Sequence, residues 1–65
     1  MGKVYRVFEV EANKLHPPSR DMQEAIAFAK GMAELDQIDE VEVHEFEADD
    51  TEFRNPVLVY PPRPA

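Results

Sequence analysis

Only one stretch of this sequence, RDMQEAIAFAKGMAEL at residues 20–35, has the periodicity of an amphipathic helix. At about 100° per residue, Met22, Ala25, Ile26, Phe28, Ala29, Met32, Ala33 and Leu35 fill about half of the cylinder. Such a stripe has to be buried against another element, and here it is expected to cover one face of a sheet. Ala25 and Ala29 sit near the middle of the arc and allow a close approach of the helix axis. Ile26 and Met22 flank one side; Phe28 and Leu35 flank the other. Ser19 or Asp21 supplies an N-cap, and Asp21 with Glu24 has capping-box spacing. Gly31 falls on the polar face, where it costs about 1 kcal/mol relative to Ala.

The rest of the chain supplies the sheet. KVYRVFEVE, residues 3–11, alternates as a strand. Its more apolar face is Val4, Arg6, Phe8 and Val10, which is expected to look at the core. The opposite face is Lys3, Tyr5, Val7, Glu9 and Glu11. Residues 12–19 form a connector in which Pro17 and Pro18 impose extended backbone, and Leu15 is placed to plug the end of the core. Residues 39–48 form a second strand, with Val41 and Val43 on one side and Glu42, His44 and Phe46 on the other. Either Phe46 faces a different surface, or a bulge near His44 and Glu45 returns it to the core. Residues 49–55 are a loop by composition, and PVLVY at 56–60 is a third, wholly apolar strand.

The expected fold is therefore α+β, in the order β-α-β-β, with one helix on one face of a three-stranded sheet. Residues 1–60 make a single domain and residues 61–65 a Pro-rich tail. If the first two strands are neighbours, a right-handed crossover makes them parallel, and the third strand is then antiparallel to the second. The expected core is Phe8, Val10, Ile26, Ala29, Met32 and Val43. Tyr5, Val7, Val57 and Val59, with Phe46, are left on a face that no helix covers, which predicts a homodimer through them.

Size supports that expectation. A chain of 65 residues buries only about 60% of the surface its unfolded form exposes. With no Cys it has neither a disulfide nor a thiolate metal site. Low aromatic content and high charge lean towards disorder, but 43% hydrophobic residues in periodic patterns argue for a fold. No N-terminal run resembles a signal peptide and no stretch approaches about 20 apolar residues, so a cytoplasmic protein is expected.

Charge narrows the function. Fourteen acidic and seven basic residues give a net charge of −7, which opposes binding to nucleic acid or anionic membranes. Ten of the fourteen carboxylates lie between Glu34 and Glu52, a segment without Lys or Arg. One reading is a solvated face that keeps the protein soluble and blocks edge pairing. The other is a docking surface for a basic partner, carried by Glu42, Glu45, Glu47, Asp49 and Asp50, with Phe46 and Phe53 as apolar anchors. A variant of the second is DNA mimicry, since same-face residues of a strand repeat every ~6.6–6.8 Å, close to the phosphate spacing.

Chemistry finds little support. Glu42 and His44 share one strand face, but no zinc-ligand spacing is present, and His16 and His44 are expected to be solvated or structural. EADDTEF lacks the alternating ligands and the Gly of a calcium loop. Neither a catalytic triad nor a Gly-rich phosphate loop occurs, so no enzyme and no cofactor are expected. PPRP spans the P-x-x-P spacing from Pro61 to Pro64, and is expected to be a stiff tail rather than a ligand for a polyproline-binding domain.

Taken together, YRVFEVEA, DMQEAIAFAKGMAEL and DEVEVHEFE followed by a Pro-rich end resemble small acidic early proteins encoded by bacteriophages, including those of actinobacteria. The resemblance implies a protein without a catalytic motif that binds a host protein and occludes or modulates it; it transfers no functional residue. The alternatives are a self-associating structural module and a DNA-mimic inhibitor of a nucleic-acid-binding protein.

Overall fold

The alternation of KVYRVFE makes β1 (Lys3–Glu9), and the turn that follows brings the chain straight back along it as β2 (Lys14–Leu15). The computed structural model describes residues 2–62. Asn13, with φ 51°, takes the left-handed turn position that Asn tolerates better than most residues, and its N–H donates to the Val10 carbonyl at 3.2 Å. The helix α1 (Met22–Leu35) and strands β3 (Val41–Glu47) and β4 (Val57–Tyr60) complete the fold. It is α+β, with one helix packed on a four-stranded antiparallel sheet of order β2-β1-β3-β4.

Two expectations change here. The sheet has four strands, because the connector pairs with β1 instead of merely leaving it. The His16 N–H donates to the Val7 carbonyl at 2.9 Å, and Ser19 exchanges backbone bonds of 2.7 and 2.8 Å with Tyr5 beyond the two prolines. Secondly, β1 and β3 are antiparallel, not parallel. The physical reason is the doubled-back connector. It starts the helix beside Tyr5 rather than beyond Glu9, and at about 1.5 Å per residue the helix carries the chain to the far end of β1. There Val41 pairs with Glu9, so β3 has to run back the other way.

The helix ends follow their local chemistry. Asp21 is the N-cap; its Oδ1 accepts the N–H groups of Gln23 at 2.9 Å and Glu24 at 3.3 Å. At the other end Gln37 adopts φ 57°, which lets the Ile38 N–H reach the Met32 carbonyl at 3.2 Å. A left-handed residue with a Cβ costs about 1 kcal/mol there, and Gly is the usual occupant. Gln37→Gly is therefore expected to stabilise the domain by about 0.5–1 kcal/mol. A urea midpoint no higher than the parent's would show that the turn is not strained.

The core lies between helix and sheet. Val7, Ala25, Ala29, Met32, Val41 and Val43 are buried together, with Tyr5, Ile26, Ile38, Val59 and Tyr60 packed against them. The face expected for β1 is thereby reversed: Tyr5 and Val7 lie under the helix, whereas Val4, Arg6, Phe8 and Val10 are only half-buried. Pairing explains it. Val7 lies opposite Val43 and Tyr5 opposite Glu45, and cross-strand partners share a face. Once Val41 and Val43 turn to the helix, the odd-numbered residues of β1 must follow. The helical arc is also narrower than expected, since Phe28 is 50% and Leu35 83% exposed.

Phe46 resolves the ambiguity in β3. Pairing with β1 runs without a break from Lys3–Glu47 to Glu9–Val41, so Phe46 faces away from the helix. The irregularity falls in the pairing with β4, between Val43 and His44. Phe46 is nonetheless buried, at 3% exposure, because the 48–56 loop folds over it. The Phe53 ring packs on it edge-to-face at 5.0 Å, and the Arg6 guanidinium lies 4.5 Å from the Phe53 ring. The residues expected to need a second chain are thus mostly covered within one: Tyr5, Val7 and Val59 by the helix side, and Phe46 by Phe53. Val57 remains exposed. The expected tail lies partly beyond reach, since residues 63–65 fall outside the described residues.

Candidate functional site

The two histidines sit on opposite faces of the sheet. His16 Nε2 lies 2.6 Å from Glu9 Oε2, its ring meets Phe28 edge-on at 5.3 Å, and its carbonyl accepts from Arg6 Nε at 2.7 Å. His44 Nε2 lies 2.9 Å from Glu42 Oε1, and its ring sits between those of Phe8 and Phe46, at 5.6 and 6.4 Å. Each imidazole therefore has one carboxylate and an aromatic neighbour, a structural environment. Among the described residues no group of three or more His, Cys, Asp or Glu is placed to hold a metal ion. No described helix is long and apolar enough to cross a membrane.

The carboxylates divide into two sets. Most of those expected to form the docking surface are engaged within the protein. Lys3 Nζ is hydrogen-bonded to Glu47 and lies 3.8 Å from Glu45; the Glu47 carboxylate, more than any other neighbour, holds the Lys3 ammonium above its ordinary pKa range. Glu42 is bonded to His44. Asp50 Oδ2 accepts the N–H groups of Arg54 at 3.0 Å and Asn55 at 3.2 Å, while its carbonyl accepts from Phe53 at 3.1 Å. That carboxylate closes the loop which seats Phe53, itself held at φ 53°. Asp49 is exposed, but Phe46 is covered by Phe53 and offers no anchor on the surface.

The second set lies at the corner between α1 and β3. Glu34, Asp36, Asp39 and Glu40 are all exposed, and none has an ion-pair partner among the described residues. They surround the C-terminal end of the helix, the negative pole of its dipole, and no basic residue occupies the last turn. Leu35, the most exposed large apolar side chain described, stands between Glu34 and Asp36. Next to them Asp39, Glu40, Val41, Glu42 and Pro61 line a shallow cleft of about 270 Å3. This corner was legible in the sequence only as part of a basic-free acidic segment. Leu35 itself falls, by periodicity, on the flank of the apolar arc.

Fold and surface together define a small α+β protein whose carboxylates are partly neutralised along β3 and, among the described residues, unpaired at one corner. Comparison with protein-family models, with curated proteins and with solved structures found no match.

Proposed function

We propose that this is a non-catalytic acidic docking protein, whose corner of Glu34, Leu35, Asp36, Asp39 and Glu40 meets a basic surface of a protein partner and occludes it. One observation carries the reading: an exposed leucine, flanked in the chain by Glu34 and Asp36, at a corner whose carboxylates have no ion-pair partner among the described residues. Negative charge at a helix C-terminus destabilises the folded chain, by about 0.3–1 kcal/mol per group at low salt. A partner's Lys and Arg side chains relieve that repulsion, and burying Leu35 contributes about 1.5–3 kcal/mol more. The charges steer encounter and the leucine slows departure. The resemblance to small early phage proteins supports a host protein in the cytoplasm as that partner. DNA mimicry draws less from the structure, because the outward face of β3 carries Glu42, His44 and Phe46 rather than a row of carboxylates.

The test is a variant with Glu34→Gln, Asp36→Asn, Asp39→Asn and Glu40→Gln, compared with the parent by cross-linking in the native host. The parent is expected to cross-link to one stoichiometric partner through the α1–β3 corner, and to lose it at raised salt, since such charges are screened over roughly 8–10 Å. The variant is expected to melt no lower than the parent and to lose the partner. Equal cross-linking by both proteins, or cross-links confined to other faces, would overturn the reading.

A further inference from the structure

The other end of the helix carries a second concave feature, built quite differently. Tyr5, Val7, Pro17, Pro18, Ser19, Glu24, Ala25 and Phe28 line a cleft of about 250 Å3 between the connector and α1. Its outer wall is held in place by backbone. The His16 N–H donates to Val7, and Ser19 is bonded in both directions to Tyr5, so the two prolines are braced at each end. Val7 and Ala25, both buried, close the bottom. Two aromatic rings and two prolines make the walls.

Glu24 is the one acidic residue in this lining. Its spacing from Asp21 fits a capping box, in which its carboxylate would reach back to the Asp21 N–H. Ser19 takes that role instead: the Asp21 N–H donates to Ser19 Oγ at 3.1 Å. Glu24 is thereby released from the helix end, is exposed, and has no ion-pair partner among the described residues. One turn further on, Phe28 leaves half of its surface in solvent.

We propose that this cleft takes an arginine side chain presented by the protein partner. The methylene stem lies against Pro17, Pro18 and Val7, the guanidinium plane stacks on an aromatic wall, and its N–H groups donate to the Glu24 carboxylate. Each part answers a property of arginine: a flat, weakly hydrated cation on an apolar stem. The Glu24 carboxylate, unpaired among the described residues, favours such an occupant over an anionic or neutral one. The inference rests on the docking reading for the identity of the partner, but the cleft is testable without it.

The experiment is an NMR titration of the whole chain with N-acetyl-arginine-N-methylamide, compared with its neutral isostere, the citrulline derivative, and with the norleucine derivative. The arginine compound is expected to shift the amides of Tyr5, Ser19, Glu24 and Phe28, and to bind about 1.5- to fivefold more tightly than the citrulline compound, the range for one exposed charge pair. Glu24→Gln should abolish that preference, and Phe28→Ala should weaken all binding; both positions are exposed, so the fold should survive. Equal affinity for arginine and norleucine, shifts confined to other surfaces, or an unaltered preference in Glu24→Gln would overturn the proposal. Repeating the titration on the corner variant separates the two readings. Unchanged cleft binding there, with partner capture lost, supports both; unchanged capture by the corner variant sinks the docking reading and leaves the cleft standing.

Discussion

Phe46→Ala is expected to lower stability by about 3–5 kcal/mol, enough to unfold most of the population of so small a domain. Phe46 does not touch the helix-side core, yet it is buried at 3% exposure. Its ring is the platform on which Phe53 sits, and Phe53 in turn receives Arg6. Phe53 holds a left-handed backbone conformation, which costs a side-chain-bearing residue about 1–2 kcal/mol and persists only while packing offsets it. Removing the Phe46 ring therefore leaves a cavity and also releases the loop that Asp50 closes. Phe8 lies on the same face but is half-buried, and Phe8→Ala should cost only about half as much. Chemical denaturation of both variants decides the matter. If Phe8→Ala is the more damaging, or if Phe46→Ala melts within a few degrees of the parent, this second apolar layer is not what the structure describes.

The second large effect is expected at Ala29. It is fully buried where α1 meets the sheet, opposite a fully buried Val43 on the same core. Ala29→Leu inserts three carbons where no room exists, and overpacking of this kind costs about 1–3 kcal/mol and sometimes more. Ala27, two residues earlier, is exposed. Ala27→Leu should change stability by no more than about 0.5 kcal/mol. A common shift in melting temperature for the two variants would mean that the helix does not sit on its Ala25–Ala29 face.

The candidate surface was only half legible in the sequence. Composition alone marks the basic-free segment from Glu34 to Glu52 as acidic. It does not say which of those carboxylates stay free. Glu47 and Glu45 are claimed by Lys3 from the paired end of β1, and Asp50 by backbone N–H groups of its own loop. Those partners are distant in sequence or depend on the loop's closed shape. The release of Glu24 by Ser19 is likewise a matter of geometry, because either residue was competent to satisfy the helix end.

Everything that depends on near neighbours in the chain was readable before the fold was known. The 3.6-residue period placed a helix within residues 20–35, with Ser19 or Asp21 as its cap; two-residue alternation marked strands within 3–11 and 39–48, and an apolar run marked 56–60, where the structure has Met22–Leu35, Lys3–Glu9, Val41–Glu47 and Val57–Tyr60. One helix on one face of a sheet followed from having a single half-apolar helix to bury. Tertiary structure alone decided the direction of β3, the addition of β2 and the inward face of β1. These turn on the doubled-back connector and on Val7 meeting Val43, a pairing across residues far apart in the chain. Both faces of β1 carry enough apolar side chains to pass as the core face, so local hydrophobicity could not choose between them. The choice was made by the strand beside it, where only Val41 and Val43 could go under the helix.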